Sequence, residues 1–235
     1  MQDYGEALWL ALGLLVSGDP ELLEIIALSL RVSLSAMVIA CIIGFPLGAI
    51  VAISRFPGRG AVLVLMNTLM GLPPVVVGLI VYLGLSNAGP FGWLQLLYTP
   101  TAMIIAQTIL ITPIIAALSR QVIEDLHNEY AEQFRSLVVP RFTAMGALIW
   151  DARIALLTVA LAGFGRATAE VGAVIVVGGN IKHLTRVMTT TIALETQKGE
   201  LALALALGAV LMLIAITVNA LVMSLRATAS RPAYA

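Results

Sequence analysis

Residues 20–54 read PELLEIIALSLRVSLSAMVIACIIGFPLGAIVAIS, and only Glu21, Glu24 and Arg31 among them are charged. A helix of about 20 apolar residues crosses the roughly 30 Å of hydrocarbon in a bilayer. Because this stretch is longer than a perpendicular crossing requires, it predicts a transmembrane helix that is tilted or bent. Pro46 is the expected position of a bend.

The composition extends this prediction to the whole chain. Of its 235 residues, 60% are hydrophobic and 11% are charged, whereas soluble domains carry roughly 25% charged residues. The chain therefore lacks the polar surface that a water-soluble protein needs. Its formal net charge of +0 and the absence of a basic cluster predict no nucleic-acid partner. The single cysteine, Cys41, excludes an internal disulfide and a multi-cysteine metal site.

The beginning of the chain is predicted to lie at the membrane surface. Residues 7–15 are apolar, but they are too few to cross the bilayer. No basic residue precedes them, which argues against a signal peptide. Asp19 and Pro20 favour a new helix, because Asp19 can accept hydrogen bonds from free backbone N–H groups and Pro20 suits the first helical position. Residues 1–20 are therefore predicted to form an interfacial segment.

Four further apolar segments predict the remaining transmembrane helices. They lie at about residues 61–85, 101–118, 154–177 and 201–225. In the second span, Pro73 and Pro74 must interrupt the backbone hydrogen bonds, which is tolerated only where protein or water satisfies the freed carbonyls. The third span contains Pro113. The sequence thus predicts an all-α integral membrane protein with about five transmembrane helices plus an N-terminal interfacial helix.

The distribution of basic residues predicts the orientation of the chain. Five spans place the two termini on opposite sides of the membrane. With the N-terminus outside, eight basic residues fall in inner segments, namely Arg55, Arg59, Arg120, Arg135, Arg141, Arg153, Arg226 and Arg231. Three fall in outer segments, namely Lys182, Arg186 and Lys198. This bias predicts an outer N-terminus and a cytoplasmic C-terminus.

No residue pattern in the chain predicts catalysis. There is no phosphate-binding loop ending in Gly-Lys-Ser or Gly-Lys-Thr, and no His-Glu-x-x-His or paired-cysteine pattern. His127 and His183 stand alone on different predicted sides of the membrane, and metal sites require more ligands than one. We therefore expect a chain that is not an enzyme and that binds no cofactor or metal.

The only long polar section, residues 119–153, predicts a structured cytoplasmic loop. Residues 124–150 mix charged and apolar side chains with helical character, and Val138-Val139-Pro140 interrupts them. Pro140 disfavours helix at the residue before it, so the segment predicts a helix–turn–helix. An amphipathic segment of this length typically docks on a partner. The alternative is a solvated loop.

This loop resembles that of bacterial ABC importer permeases of the type I fold. Their pattern is Glu-Ala-Ala, three residues, Gly, and a distal Leu-Pro. Here Glu132-Gln133-Phe134 occupies the first position, Val138 stands in place of the glycine, and the distal element is Leu148-Ile149-Trp150-Asp151. By this resemblance, the predicted ATPase-coupling residues are Glu132, Gln133, Phe134, Arg135, Val138, Pro140 and Arg141.

Other segments are similar to the molybdate and tungstate permeases of this fold. They are GLPPVVVG at residues 71–78, GRATAEVGA at residues 165–173, and GGNI at residues 178–181. The similarity covers roughly residues 21–225, and residues 162–200 look closest to the tungstate branch. It implies a permease domain at residues 21–226, followed by a cytoplasmic tail at residues 227–235.

The resemblance also implies the assembly and the location. A permease homodimer would associate with two cytoplasmic ABC ATPase subunits, which hold ATP and Mg, and with an extracytoplasmic oxyanion-binding receptor. The chain would lie in a bacterial or archaeal cytoplasmic (inner) membrane and move an oxyanion, most simply tungstate, by alternating access. Molybdate and sulfate permeases of the same fold remain alternatives.

Arg166 and Glu170 are the candidate charges within the membrane. They are four residues apart in the predicted fourth span and share a helix face. An ion pair in the bilayer is costly unless it faces protein or water, so it marks function by default. The alternative is a buried pair that only fixes helix packing. The predicted translocation path or gate comprises Arg166, Glu170, Pro73 and Pro74.

The segment between the last two spans predicts a cationic outer mouth. Positive charge and hydroxyl donors suit a dianion that leaves its receptor. The residues proposed for it are Lys182, Arg186, Thr189, Thr190 and Thr191, with His183 and Lys198 nearby. The alternative is a wet surface on which Lys198 and Arg186 pair with Glu195 and Glu200.

Two other functional classes are alternatives to a permease. An integral membrane enzyme would require convergent His, Asp or Glu side chains near one interface. A proton-coupled transporter that works alone would require more intramembrane carboxylates than Glu170, and usually an internal repeat. The sequence shows neither pattern.

Overall fold

The computed structural model describes residues 4–229, and within them the chain is helical without a β-strand. The helices are α1 (Tyr4–Ser17), α2 (Pro20–Ile53), α3 (Arg59–Met70), α4 (Pro74–Leu85), α5 (Pro100–Glu129), α6 (Ala131–Ser136), α7 (Arg141–Asp151), α8 (Arg153–Thr168), α9 (Gly172–Gly178), α10 (Met188–Lys198) and α11 (Leu201–Ala229). A short 3₁₀ helix covers Gly92–Leu94. Arg231 and most of the predicted tail lie outside the described residues.

The helix lengths fit an integral membrane protein. Among the described residues, α2, α5 and α11 are each long and apolar enough to cross a bilayer. Two pairs of helices joined through short breaks, α3 with α4 and α7 with α8, raise the number of candidate spans to five if each pair is one span. The predicted all-α membrane fold is confirmed.

Helix α2 begins where the sequence predicts. Asp19 Oδ1 accepts hydrogen bonds from the backbone N–H groups of Glu21 at 2.9 Å and Leu22 at 3.0 Å. The helix then continues for 34 residues, through Pro46 without a break. At about 1.5 Å per residue it is roughly 51 Å long, which exceeds the thickness of the hydrocarbon.

The chain forms two compact units. The first comprises Met1–Ala36, Pro73–Gln107 and Gly165–Val218, and the second comprises Met37–Leu72, Thr108–Phe164 and Asn219–Ala235. A core cluster of the first unit contains Ala11, Leu22, Ile25, Met188, Ala206 and Leu207. A core cluster of the second contains Ala49, Ala52, Ile123, Leu148, Ala152 and Leu156.

The N-terminal helix α1 packs on the first unit. It has 14 residues, about 21 Å at 1.5 Å per residue, which is too short to cross the bilayer. Ala11 is buried in the core cluster of this unit, whereas Trp9 and Val16 are exposed. One side of the helix therefore contacts protein, and large apolar side chains are exposed on the remainder.

The helix of the third span is longer than the sequence predicts. Helix α5 does not stop near residue 118 but continues to Glu129, a total of 30 residues. Its last turns are held because Ile123 is fully buried in the core of the second unit. The first part of the predicted polar loop is therefore a rigid extension of the third span.

The predicted fourth span at residues 154–177 is wrong as a single helix. Helix α8 ends at Thr168, and the separate helix α9 begins at Gly172. The carbonyls freed by this break are satisfied within the first unit: Gln107 Nε2 donates to the Ala167 carbonyl at 3.1 Å, and Thr189 Oγ1 donates to the Glu170 carbonyl at 2.8 Å. Polar side chains of other helices thus stabilise a break that hydropathy alone does not reveal.

The break at Pro73 and Pro74 is present as predicted. Helix α3 ends at Met70, and α4 begins at Pro74, with Pro73 in extended conformation before it. Helix α4 then packs closely on α9, since a Cβ atom at Gly78 would lie 2.8 Å from the Ala173 Cα atom. Only glycine permits this approach of the two helix backbones.

Candidate translocation and coupling sites

Arg166 and Glu170 form an ion pair at the end of α8. Arg166 Nη1 lies 2.8 Å from Glu170 Oε2. The Glu170 side chain is 5% exposed and that of Arg166 is 39% exposed. Glu170 Oε1 also accepts a hydrogen bond from the Ala173 backbone N–H at 3.3 Å, so one carboxylate contacts both α8 and α9. The role of this pair as a gate remains a prediction.

The two helix breaks of the first unit lie together. A Cβ atom at Gly172, the first residue of α9, would lie 2.8 Å from Val75 Cγ2 and 3.5 Å from Glu170 Oε1. Val75 follows Pro73 and Pro74 directly. The break between α3 and α4 therefore contacts the break between α8 and α9. Pro73 and Pro74 lie at the first break, and Arg166 and Glu170 lie at the second.

A small polar cavity adjoins Glu170. It has a volume of about 10 Å³, roughly the minimum needed for one water molecule. Its polar lining includes Ser29, Ser33, Gln107, Thr189 and Glu170. Gln107 Oε1 is buried here and has no hydrogen-bond partner within the part of the chain that the structure describes.

The sequence prediction did not include Ser29, Ser33 or Gln107. Ser29 Oγ accepts a hydrogen bond from the Met188 backbone N–H at 2.8 Å and so joins α2 to α10. Their position within apolar segments could have identified these three residues, because polar side chains in such segments tend to face protein or water rather than lipid.

The basic side chains of the predicted outer mouth contact carboxylates. Lys182 Nζ lies 2.8 Å from Glu21, and Arg186 Nη1 lies 3.6 Å from the same carboxylate. His183 contacts Glu24 at 2.8 Å, and Lys198 contacts Glu195 at 3.0 Å. The expected partner of Lys198 is thus present, whereas Arg186 pairs with Glu21 instead of Glu195 or Glu200.

The three threonines of the predicted mouth are buried and bonded within the protein. They belong to α10, a helix in the segment that was expected to be a loop. Thr189 donates to the Glu170 carbonyl, Thr190 donates to Asn180 Oδ1 at 2.9 Å, and Thr191 donates to the Val187 carbonyl at 2.7 Å. These hydroxyls do not form the hydroxyl-rich surface that the sequence predicted, since helix packing already uses them.

The predicted coupling loop is a helix–turn–helix. Helices α6 and α7 flank a turn at residues 137–140, and Pro140 precedes the first residue of α7. Val138 has a φ of 49°, the left-handed conformation that glycine adopts readily. It therefore takes the backbone shape expected of the glycine that it replaces in the family pattern.

The turn presents apolar side chains to its surroundings. Leu137, Val138 and Phe142 are all strongly exposed, with Phe142 83% exposed. Phe134 is half-buried instead, with its ring 6.2 Å from that of His127 and 6.0 Å from that of Tyr130. Contiguous exposed apolar side chains at a turn are typical of a protein-binding surface.

The coupling loop is anchored to the rest of the second unit by polar contacts. Glu124 on α5 pairs with Arg59 of α3 at 2.7 Å and also with Arg120. Tyr130 donates a hydrogen bond to Asp151 Oδ2 at 2.8 Å, which ties the start of α6 to the end of α7. These contacts connect the loop to α3 and join its two helices to each other.

The described residues contain no group of three or more His, Cys, Asp or Glu side chains that could hold a metal ion.

Comparisons with known proteins agree along most of the chain. The family of binding-protein-dependent transport system inner membrane components matches residues 44–230. The tungstate uptake system permease protein of Peptoclostridium acidaminophilum is 40% identical over 226 residues, which cover 96% of this chain and 99% of that protein. That of Campylobacter jejuni is 38% identical over 218 residues, which cover 93% and 91%. A probable anion ABC transporter permease protein of Haloferax volcanii is 38% identical over 205 residues, which cover 85% and 88%.

Proposed function

The chain belongs to the family of binding-protein-dependent transport system inner membrane components, and from this premise we propose that it is the permease subunit of an ATP-driven importer of tungstate. The proposal that the substrate is tungstate rests on the similarity of this chain to two tungstate uptake permeases. This similarity extends over more than nine tenths of the chain. Molybdate, sulfate and other oxyanions are the competing substrates, and the third relative is named only for an anion.

The geometry of the first unit supports a path for a dianion. The two helix breaks, at Pro73-Pro74 and at residues 169–171, meet beside Arg166 and Glu170. Non-helical backbone at membrane depth is tolerated where it lines a cavity or is buried in protein. Arg166 supplies positive charge there, and its partly exposed guanidinium is accessible to a ligand.

The geometry of the second unit supports coupling to an ATPase. The apolar turn around Val138 and Phe142 would insert into a partner on the cytoplasmic side. This turn belongs to the coupling loop at residues 119–153, which is part of a permease domain at residues 21–226. Because Glu124 links this loop to α3, ATP-driven motion of the partner would reach the membrane helices. ATP and Mg belong to that partner, so this chain itself hydrolyses nothing.

The complete transporter would be a homodimer of this chain with two ABC ATPase subunits and an extracytoplasmic receptor. It would lie in the cytoplasmic membrane with the N-terminus outside and the C-terminus inside, as the bias of basic residues indicates. ATP binding would close the ATPases together, and the coupling loops would switch the path from one side of the membrane to the other.

The test is receptor-stimulated ATP hydrolysis by the reconstituted complex. The chain is coexpressed with its ATPase, purified, and mixed with receptor loaded with tungstate, molybdate or sulfate. We expect the ATPase to copurify with the chain, and tungstate-loaded receptor to stimulate hydrolysis most strongly. Stimulation by another oxyanion alone would contradict the proposed substrate, and failure of any ATPase to copurify would contradict the proposed function.

A further inference from the structure

A basic cleft lies beside the coupling loop, within the second unit. Its volume is about 520 Å³. Arg55, His127, Arg135 and Arg141 line it together with Asn128, and no described Asp or Glu contributes to the lining. The four basic side chains come from four places in the chain, namely the segment after α2, the end of α5, α6, and the first residue of α7.

The arginines of this cleft differ from their neighbours in ion pairing. Among the described residues, none of Arg55, Arg135 and Arg141 forms an ion pair, whereas the nearby Arg59 and Arg120 share Glu124. Glu124 is therefore already paired with cations that lie outside the cleft. Three guanidinium groups on one concave surface create a positive potential that attracts anions.

The arginines of the cleft also affect the pKa of His127. Burial lowers the pKa of its imidazole, and the neighbouring charges of Arg55 and Arg135 lower it further, while Glu124 acts in the opposite direction. Its Nδ1 atom is buried and has no hydrogen-bond partner within the described chain. A buried polar atom without a partner is uncommon and is typically satisfied by a water molecule or a ligand.

The cleft is also held in shape without a ligand. The Phe134 ring stacks on the His127 ring and contacts the Tyr130 ring edge-on, which joins α6 to the end of α5.

We propose that this cleft binds a tetrahedral oxyanion group, either free in the cytoplasm as phosphate or sulfate, or carried by the headgroup of an anionic lipid. The planar guanidinium donates paired hydrogen bonds that match the oxygen geometry of such groups. The volume accommodates one phosphate with water, or a headgroup. The lining of the cleft does not include Arg166, and the proposal does not depend on tungstate being the transported anion.

Equilibrium dialysis with radiolabelled sulfate tests the site on the full chain in a non-ionic detergent. Sulfate is chosen because its charge stays at two across the working range of pH. We expect one sulfate per chain, and Arg55→Gln or Arg135→Gln to weaken binding at least about tenfold, since each removes a charge-assisted hydrogen bond. Arg135→Lys, which keeps the charge but loses the paired donors, should give an intermediate loss.

Arg153→Gln is the matched control. Arg153 is also a basic residue of this predicted inner region, but its guanidinium stacks on Trp150 at 5.3 Å and does not line the cleft. Sulfate binding by this variant should equal that of the unaltered chain. If Arg153→Gln weakens binding as much as the cleft variants do, or if the cleft variants bind sulfate normally, the proposal is overturned.

A second measurement identifies the source of the oxyanion group. Native mass spectrometry follows retention of phosphatidylglycerol and phosphatidylcholine by the unaltered chain and by Arg55→Gln. Retention of phosphatidylglycerol that Arg55→Gln abolishes and that sulfate does not displace supports the lipid headgroup. Tight sulfate binding with no selective lipid retention supports a free oxyanion. No selective binding of either ligand overturns the site.

Discussion

At the scale of single residues, the backbone of Val138 carries a conformational cost. A β-branched residue at a positive φ, here 49°, is uncommon because its side chain crowds the neighbouring carbonyl. Glycine avoids this clash, although it gains more freedom in the unfolded chain. Val138→Gly should therefore raise the free energy of unfolding of the coupling loop by about 1 kcal/mol.

Hydrogen exchange of the loop amides measures this change. Val139→Gly is the control, because Val139 is not among the residues with positive φ and gains no relief there. Slower exchange in Val138→Gly together with faster exchange in Val139→Gly is expected. Equal acceleration in both variants would show that the left-handed valine imposes no strain.

The Arg166–Glu170 pair predicts unequal effects of single substitutions. Glu170 is almost fully buried, whereas Arg166 is partly exposed. Arg166→Ala leaves a buried carboxylate without its cation, which costs about 3–5 kcal/mol in soluble cores. Glu170→Gln leaves a guanidinium that can reach a more polar environment. The amount of folded permease, measured by size-exclusion chromatography, should therefore fall more in Arg166→Ala than in Glu170→Gln.

The double variant Arg166→Leu with Glu170→Leu separates packing from transport. It removes both charges, so the amount of folded protein should recover under either role of the pair. We expect oxyanion uptake and receptor-stimulated ATP hydrolysis to stay low, because a dianion in the path needs compensating positive charge. Full uptake by this variant would exclude a transport role for Arg166.

At the scale of helices, the apolar turn between α6 and α7 is the element expected to dock on the ATPase. Phe142 is the best probe because it is strongly exposed, whereas Phe134 supports the loop from within by its ring contacts. Phe142→Asp should reduce copurification of the ATPase at least about tenfold, since buried aromatic anchors dominate most interfaces.

The matched control is Thr143→Asp, an exposed neighbour on the same helix. It adds the same charge without removing an apolar contact. Membrane insertion should be normal in both variants. If Phe142→Asp and Thr143→Asp retain the ATPase equally, the docking surface lies elsewhere in the chain.

The sequence predicted several helix boundaries that local signals determine, although Pro46 and Pro113 lie inside the unbroken helices α2 and α5. Asp19 and Pro20 marked the start of α2, and Pro73-Pro74 and Pro140 marked two breaks, because capping and the missing proline N–H act within a few residues. The break after Thr168 has no such local signal. It depends on Gln107 and Thr189, which are distant in sequence and satisfy the freed carbonyls.

The same limit applies to the candidate site. The predicted contact of Arg166 with Glu170 is present, although Glu170 lies two residues beyond the end of α8 and not within one continuous helix as the spacing assumed. The environment of the contact could not be predicted, because Ser29 and Gln107 reach it only through tertiary packing. The pairing within the predicted outer mouth could not be predicted for a related reason: Glu21, far away in sequence, pairs with Lys182 and Arg186, and Glu24 contacts His183. The role of the mouth stays a prediction.

At the scale of the whole molecule, the orientation in the membrane is a separate prediction. It rests on the bias of basic residues toward the predicted inner segments. Single cysteines at Asn87 and at Glu129, introduced in a Cys41→Ala background, should react with an impermeant thiol reagent from opposite sides. Asn87 should react from outside and Glu129 only after the membrane is opened. Equal reaction of both from outside would contradict the five-span topology.

Transport by the complete assembly tests the central claim most directly. The chain, its ATPase and its receptor are reconstituted in proteoliposomes with the receptor on one side and ATP on the other, and internal tungstate is measured by mass spectrometry. We predict accumulation of tungstate that requires ATP, the receptor and this chain, and that a hydrolysis-deficient ATPase abolishes. Vesicles that contain the assembled complex yet accumulate no tungstate above the ATP-free control would contradict the account.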